Sequence, residues 1–211
     1  MQPTTVRTST AECRERVRLA TGWNDTDLRL VFIGTLREKK GVASMLRVMR
    51  ALGATGSVSL LVVGPELSST EMKLCGDLWQ EVHSWGRLHV TGWVDRSHVR
   101  DWAAGGDAVL MPSLDDGMAN GLLEGMSFGL CPLVSDIFSD VVQHEQNGLT
   151  FPAGDDDALF RAVSRLAVDR TLVHQLGAHA DETAAKLTPD NEAEAYLRLF
   201  TEVLNEWKRT K

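Results

Sequence analysis

The sequence predicts a doubly wound α/β domain, a parallel sheet of about six strands with helices on both faces, ending in helices alone. Three observations carry this expectation. Short apolar, β-branched runs recur at 28–34, 58–64, 88–92, 108–112, 131–135 and 149–152, alternating with amphipathic stretches; that alternation marks parallel strands joined by helical crossovers. A length of 211 residues with 43% hydrophobic content suffices to bury one full core. After residue 152 the apolar pattern becomes helical and no further strand follows.

Taken in order, residues 1–27 form a lead-in whose charged segment 11–19 sets small or apolar residues on one face and Arg14, Glu15 and Arg18 toward solvent. Helical patterns follow the strands at 41–52, 69–85, 97–104, 121–128 and 141–144, punctuated by Gly, Pro or Asp. Residues 28–188 read as one sheet domain, closing with helices at 155–167 and 171–186. The run Asp155-Asp156-Asp157 stands just ahead of the first of these, where Asp caps free N–H groups and complements the helix dipole. Residues 189–211 form a last helix over 191–207. Its apolar set includes Ala195, Leu197, Phe200, Leu204 and Trp207, more than one small domain covers, so part of it is expected to be exposed at an interface.

Composition excludes several classes. A formal net charge of -7 argues against nucleic-acid or anionic-membrane binding, which calls for a basic patch. Cys13, Cys75 and Cys131 are odd in number and widely spaced, so neither a disulfide framework nor a zinc site is indicated, and a reducing cytoplasm fits best. No apolar run approaches the ~18 residues of a membrane span, and the first residues lack a signal-peptide core. The six histidines form no pair at metal-binding helical spacing, and Asp115-Asp116 has no nearby third ligand. No metal is expected.

The most informative stretch is 107–129, DAVLMPSLDDGMANGLLEGMSFG. It joins an apolar strand, an acidic glycine-bearing loop and the opening of a helix that carries Glu124. In doubly wound sheets, ligands bind beyond the carboxyl ends of the strands, where helix N-termini offer unpaired N–H groups to anions. Carboxylates at Asp115, Asp116 and Glu124 accept hydrogen bonds from hydroxyl groups. Phosphate and hydroxyl recognition in one loop points to a sugar nucleotide. A plainer reading stands beside this: if Gly121 caps the helix, Glu124 closes a capping box, whereas an Asn120 cap leaves it free to face a ligand. Asp115 reads as a solvated loop residue.

The motifs FIGTLREKKGV, LLVVGPEL, LHVTGWVDRSHV, MPSLDDGMANGLLEGMSFGLCPLVSD and HEQNGLTFPAGDDDALFRAV, in this order, span nearly the whole chain. Together they resemble the C-terminal, donor-binding half of retaining glycosyltransferases with the GT-B fold, family 4 (group 1). The resemblance implies a Rossmann-like domain that binds a nucleotide-sugar, a UDP-sugar first of all, and passes a hexose-type sugar to a glycan, lipid or other acceptor. It implies no cofactor and no metal. It also implies an N-terminal domain, in cis or in trans, toward which residues 189–211 would pack if they do not pack on their own domain.

By the same resemblance, Lys40, Asp116 and Glu124 are the catalytic candidates: Lys40 at the diphosphate, Asp116 at the transferred sugar and Glu124 at the ribose. Gly34, Thr35, Arg37, Trp93, Gly117, Met118, Ala119, Asn120, Leu122 and Leu123 are the other donor-binding candidates. Trp93, after the glycine that ends the third strand, is offered as a shield or stacking surface for the base, against ordinary packing. Two positions depart from the family pattern. Asp116 stands where a glutamate is usual and withdraws the carboxylate by roughly 1 Å, a misplacement that costs about 100-fold when it disturbs reacting geometry. Thr35 stands where an arginine is common; Arg37, two residues on along an extended segment, is the natural substitute. These departures support an alternative, a non-catalytic sugar-nucleotide-binding or regulatory module.

Overall fold

Six aliphatic runs pair as one all-parallel sheet in the computed structural model, which describes residues 8–53, 57–117 and 120–209. The strands are β1 (Leu28–Ile33), β2 (Val58–Val63), β3 (Leu88–Val90), β4 (Ala108–Met111), β5 (Cys131–Ser135) and β6 (Leu149–Phe151), in the order β3-β2-β1-β4-β5-β6. Each expected strand is present. Leu30 sits between Leu60 of β2 and Ala108 of β4, so the first strand formed along the chain is the centre of the sheet. Every residue of β1, β2, β4 and β5 is buried. Such runs, apolar throughout rather than alternating, are what a sheet covered on both faces requires.

Helices α2 (Val42–Gly53), α3 (Ser69–Ser84) and α6 (Asp156–Val168) form one packed group, while α1 (Thr10–Thr21) packs on α4 (Val99–Ala103) and α5 (Asn120–Ser127) packs on α7 (Arg170–Ala184). The last helix is α8 (Pro189–Arg209). Asp155 caps α6 by accepting from the Ala158 N–H, and Asp156 pairs with Arg47 of α2 at 2.5 Å, the capping role expected of that acidic run. Burying one aliphatic side chain stabilises the fold by roughly 1.5–3 kcal/mol, and Leu30, Leu46, Leu60, Leu133, Leu159 and Val163 are all inaccessible to solvent.

The end of the sheet away from the strands' carboxyl termini is tied by charge. Asp107, at the head of β4, accepts from the Arg29 N–H at 2.8 Å and pairs with Arg14 at 2.8 Å and Arg170 at 2.7 Å. One buried carboxylate thus joins α1, β1, β4 and α7. Arg14 therefore turns inward, contrary to the solvent-facing position expected of it. The lead-in is more ordered than a charged tail, with a Ser9–Glu12 capping box opening α1 and Gly22 in the left-handed conformation closing it.

A second correction concerns residues 141–144, expected as helix. A 3-10 turn at Asp136–Phe138 is followed by turns instead. The reason is Asn147, which accepts from the Gln143 N–H at 2.8 Å and donates to the Val141 carbonyl at 3.1 Å. Its side chain takes the backbone groups a helix would have paired.

Candidate functional site

The strand order reverses between β1 and β4, and at their carboxyl ends two loops meet. Such a switch point leaves a crevice for a ligand. The loop after β1 begins at half-buried Gly34 and Thr35, is pinned by the fully buried Leu36, passes through exposed Arg37 with extended backbone (φ -140°, ψ 155°) and closes in a 3-10 turn, Glu38–Lys40. The loop after β4 runs from Ser113 through Gly117. The Leu114 N–H donates to the Lys39 carbonyl at 2.8 Å, and the Asp115 N–H to the same oxygen at 3.3 Å.

Two glycines make this approach possible. Gly41 has φ +71°, and a Cβ there would lie 1.8 Å from the Pro112 carbonyl oxygen. At Gly121, in the first turn of α5, a Cβ would lie 2.4 Å from the Ile33 carbonyl oxygen. The helix start is thereby seated against the end of β1, which brings its free N–H groups to the crevice.

Within this frame the structure brings two of the predicted residues into contact. The Lys40 Nζ pairs with the Asp116 carboxylate, both side chains largely buried. Glu124, one turn into α5, pairs with Arg96 at 3.6 Å and is itself about one-quarter exposed. Asn120 and Gly117 are exposed, as is Asp115. Leu122 is buried in the core and Leu123 packs against it, so these two have backbone groups rather than side chains to offer a ligand. Met118 and Ala119 lie outside the described residues. Trp93, after Gly92 at φ +74°, is 84% exposed, with no ring packing against the core.

Three further residues shape the site. Ser113, at the end of β4, is fully buried, and its hydroxyl has no hydrogen-bond partner among the described residues. Arg96 belongs to the loop after β3 and supplies Glu124's counter-charge. Glu71 is buried in the first turn of α3, within electrostatic range of Arg37 in the loop after β1. The Ser68 hydroxyl donates to its carboxylate, and this bond, with lesser help from the Arg37 charge, holds its pKa below the ordinary glutamate value against the opposing effect of burial. Ser113 was visible inside MPSLDDG, and Arg96 three residues after Trp93. Glu71 carried no signal, since only the fold brings α3 to that loop.

A separate concavity of about 620 Å³ lies between residues 140–147 and α7. Asp140, Glu145 and Glu182 outnumber Lys186 among its charged lining residues, a poor balance for a phosphate. Among the described residues no group of three or more His, Cys, Asp or Glu side chains could hold a metal ion, and no helix is long and apolar enough to cross a membrane. All three cysteines are free and buried, and burial pushes the Cys131 thiol up to about 12.

Known proteins resemble this chain in sequence and in fold. The lipopolysaccharide core biosynthesis glycosyltransferase LpsD of Rhizobium meliloti (strain 1021) is 29% identical over 174 residues, which are 81% of this chain and 48% of that protein. Sucrose-phosphate synthase from Thermosynechococcus elongatus superposes with a TM-score of 0.74 at 21% identity, over 93% of this chain and 49% of the other. Anabaena Alr3699/HepE, solved in complex with UDP and glucose, superposes with a TM-score of 0.73 at 18% identity, over 90% of this chain and 52% of the other. The chain spans less than half the length of the curated relatives it matches. Residues 27–169, from the end of the lead-in to the start of α7, match the family described as glycosyl transferases group 1. The chain belongs to that family, and its sheet is the Rossmann-like sheet of a GT-B glycosyltransferase.

Proposed function

We propose that this chain is the nucleotide-sugar-binding half of a retaining glycosyltransferase, with a UDP-sugar as donor and no metal requirement. The observation that carries the reading is the Lys40–Asp116 contact at the switch point, beside the start of α5 and with Glu124 on the next turn. A cation, a helix N-terminus and two carboxylates are what a diphosphate joined to two hydroxyl-rich sugars asks for. HepE, similar in fold, was crystallised with UDP and glucose.

In this reading Lys40 exchanges Asp116 for the diphosphate and stabilises the charge that develops as the nucleotide leaves. The Asp116 carboxylate is then free to accept from hydroxyls of the transferred sugar, and Glu124 from those of the ribose. Arg37 and Arg96 supply the positive charge that Thr35 does not. The departing diphosphate and the attacking acceptor share one face of the sugar, so configuration is retained. Trp93 shields the base.

Calorimetry with UDP, UDP-sugars and uridine tests this assignment. UDP is expected to bind with or without a chelator. Lys40→Ala should weaken UDP by about 10- to 100-fold, the loss of a charge-assisted contact worth about 1.5–3 kcal/mol, while leaving uridine little changed. Equal loss for both ligands, or affinity abolished by the chelator, would refute it. A non-catalytic module has one observation in its favour: Asp116, short of the family's glutamate, is already engaged by Lys40. Binding without transfer, even with an N-terminal domain supplied, distinguishes that reading.

A further inference from the structure

Another concavity lies at the edge of the sheet opposite the crevice, where the strands begin. It encloses about 420 Å³ between α1, the head of β4, the turn before β5 and the opening of α7, a size that suits a small-molecule site. Its charged lining residues are Arg14, Asp25, Asp107, Arg170 and His174. A domain closing over the crevice would meet the other edge of the sheet, so this pocket lies outside that contact.

Positive charge is in excess here, although the chain as a whole carries a net charge of -7. Arg14 and Arg170 converge on one oxygen of the Asp107 carboxylate, at 2.8 and 2.7 Å. A third guanidinium, that of the fully buried Arg29, pairs with exposed Asp25 at 2.8 Å and otherwise donates to backbone carbonyls. Three arginines thus face two aspartates. His174, exposed at the rim, stands four residues along α7 from Arg170 and on the same face of the helix. Donors outnumber acceptors as well. The Arg29 Nε and the Arg170 Nη1 are buried without a hydrogen-bond partner among the described residues. A guanidinium also carries more N–H groups than one carboxylate oxygen can accept, and the Arg14 and Arg170 side chains stay 26% and 30% exposed beside the cavity. Arg29 feels the crowding: its pKa is lowered, first by burial and then by the charge of Arg14.

The geometry points to a second anion site, one that takes a phosphate group between Arg14 and Arg170 with His174 at its rim. Phosphate suits it better than a carboxylate does, because planar guanidinium forks arriving from two helices need an acceptor whose oxygens face several directions. The cavity is larger than a phosphate alone and leaves room for a small ester on it. No residue is shared with the donor crevice, so the site stands or falls independently of the proposed function.

Calorimetry on the full 211-residue chain with inorganic phosphate, glycerol 3-phosphate and acetate, each to about 10 mM and each with and without UDP, tests it. Phosphate and its ester are expected to bind, unchanged by UDP and unchanged in Lys40→Ala. His174→Glu, which sets a carboxylate at the rim and leaves the Asp107 pairs intact, should weaken both at least ~10-fold while the thermal transition of the unliganded chain stays put. Arg170→Gln should weaken both as much, with Asp107 still held by Arg14 and the Arg29 N–H. Tighter binding of glycerol 3-phosphate identifies an ester as the occupant and tighter inorganic phosphate the free ion; either upholds the site. No binding by ~10 mM, binding lost on adding UDP or in Lys40→Ala, binding indifferent to His174→Glu, or acetate held as tightly as phosphate overturns the proposal.

Discussion

Lys40 and Asp116 neutralise one another where the proposed function needs each to face a different part of the donor. A ligand must therefore break their pair before it gains anything, and that cost is separable from the contacts it makes. Asp116→Asn removes the competitor without removing the cation. It is expected to tighten UDP by roughly five-fold, about 1 kcal/mol for a partly screened pair, while UDP-sugar gains less because its hydroxyls lose an anionic acceptor. Titration of both ligands against both proteins measures the difference; a UDP affinity that falls would place Asp116 at the nucleotide instead. Which residues carry charge in the loops was legible in FIGTLREKKG and MPSLDDG. That two of them touch was not, because the contact needs the Lys39 carbonyl to bridge the loops through the Leu114 and Asp115 N–H groups. Asp107 shows the same limit: its residue type is plain in the sequence, its two arginine partners are 93 and 63 positions away. Asp107→Ala would leave Arg14, Arg170 and the Arg29 N–H without their shared acceptor, and should cost about 3–5 kcal/mol in denaturant unfolding.

Helix α3 buries a carboxylate in its first turn. Glu71 accepts from the Ser68 hydroxyl within its own cap, with the Arg37 charge of the loop after β1 in favourable range. Its pKa is lowered in the folded state. The contribution is therefore complete above the ordinary glutamate value and is lost as pH falls through the depressed folded one. Acid unfolding of the wild-type chain should steepen in that window. Glu71→Gln should be less stable at neutral pH by about 1 kcal/mol and flatter across the window, which thermal melts at successive pH values would show; parallel pH profiles would remove Glu71 from this role. β1, β2, β4 and β5 were legible as short apolar runs buried throughout, and β3 and β6, only partly buried, from their alternation with helical stretches. Residues 141–144 were misjudged as helix because the deciding group, Asn147, lies outside the segment and competes through its side chain. Strand order could not be read at all: adjacency of β1 and β4 depends on the crossover, not on either strand's composition.

Taken whole, the described residues present the open carboxyl edge of a single sheet. The residues assigned to the donor lie on loops at the carboxyl edge of a single sheet, Trp93 and Asn120 stand open to solvent, and nothing in the described chain rises over them. Chemistry at a sugar's anomeric carbon needs water excluded and an acceptor held against the donor, and a single edge supplies neither. Relatives of this family are at least twice as long as the segment that matches here. These 211 residues alone are accordingly expected to bind a UDP-sugar weakly and to transfer it to no acceptor. Supplying a GT-B N-terminal domain should restore transfer with retention of configuration, and Lys40→Ala should then abolish most of it. The assay is sugar transfer from UDP-sugars to a panel of acceptors, with and without that domain. Robust turnover by the purified chain by itself would mean that the acceptor wall is built from this sheet's own loops, and would sink the half-enzyme reading while leaving the donor site intact.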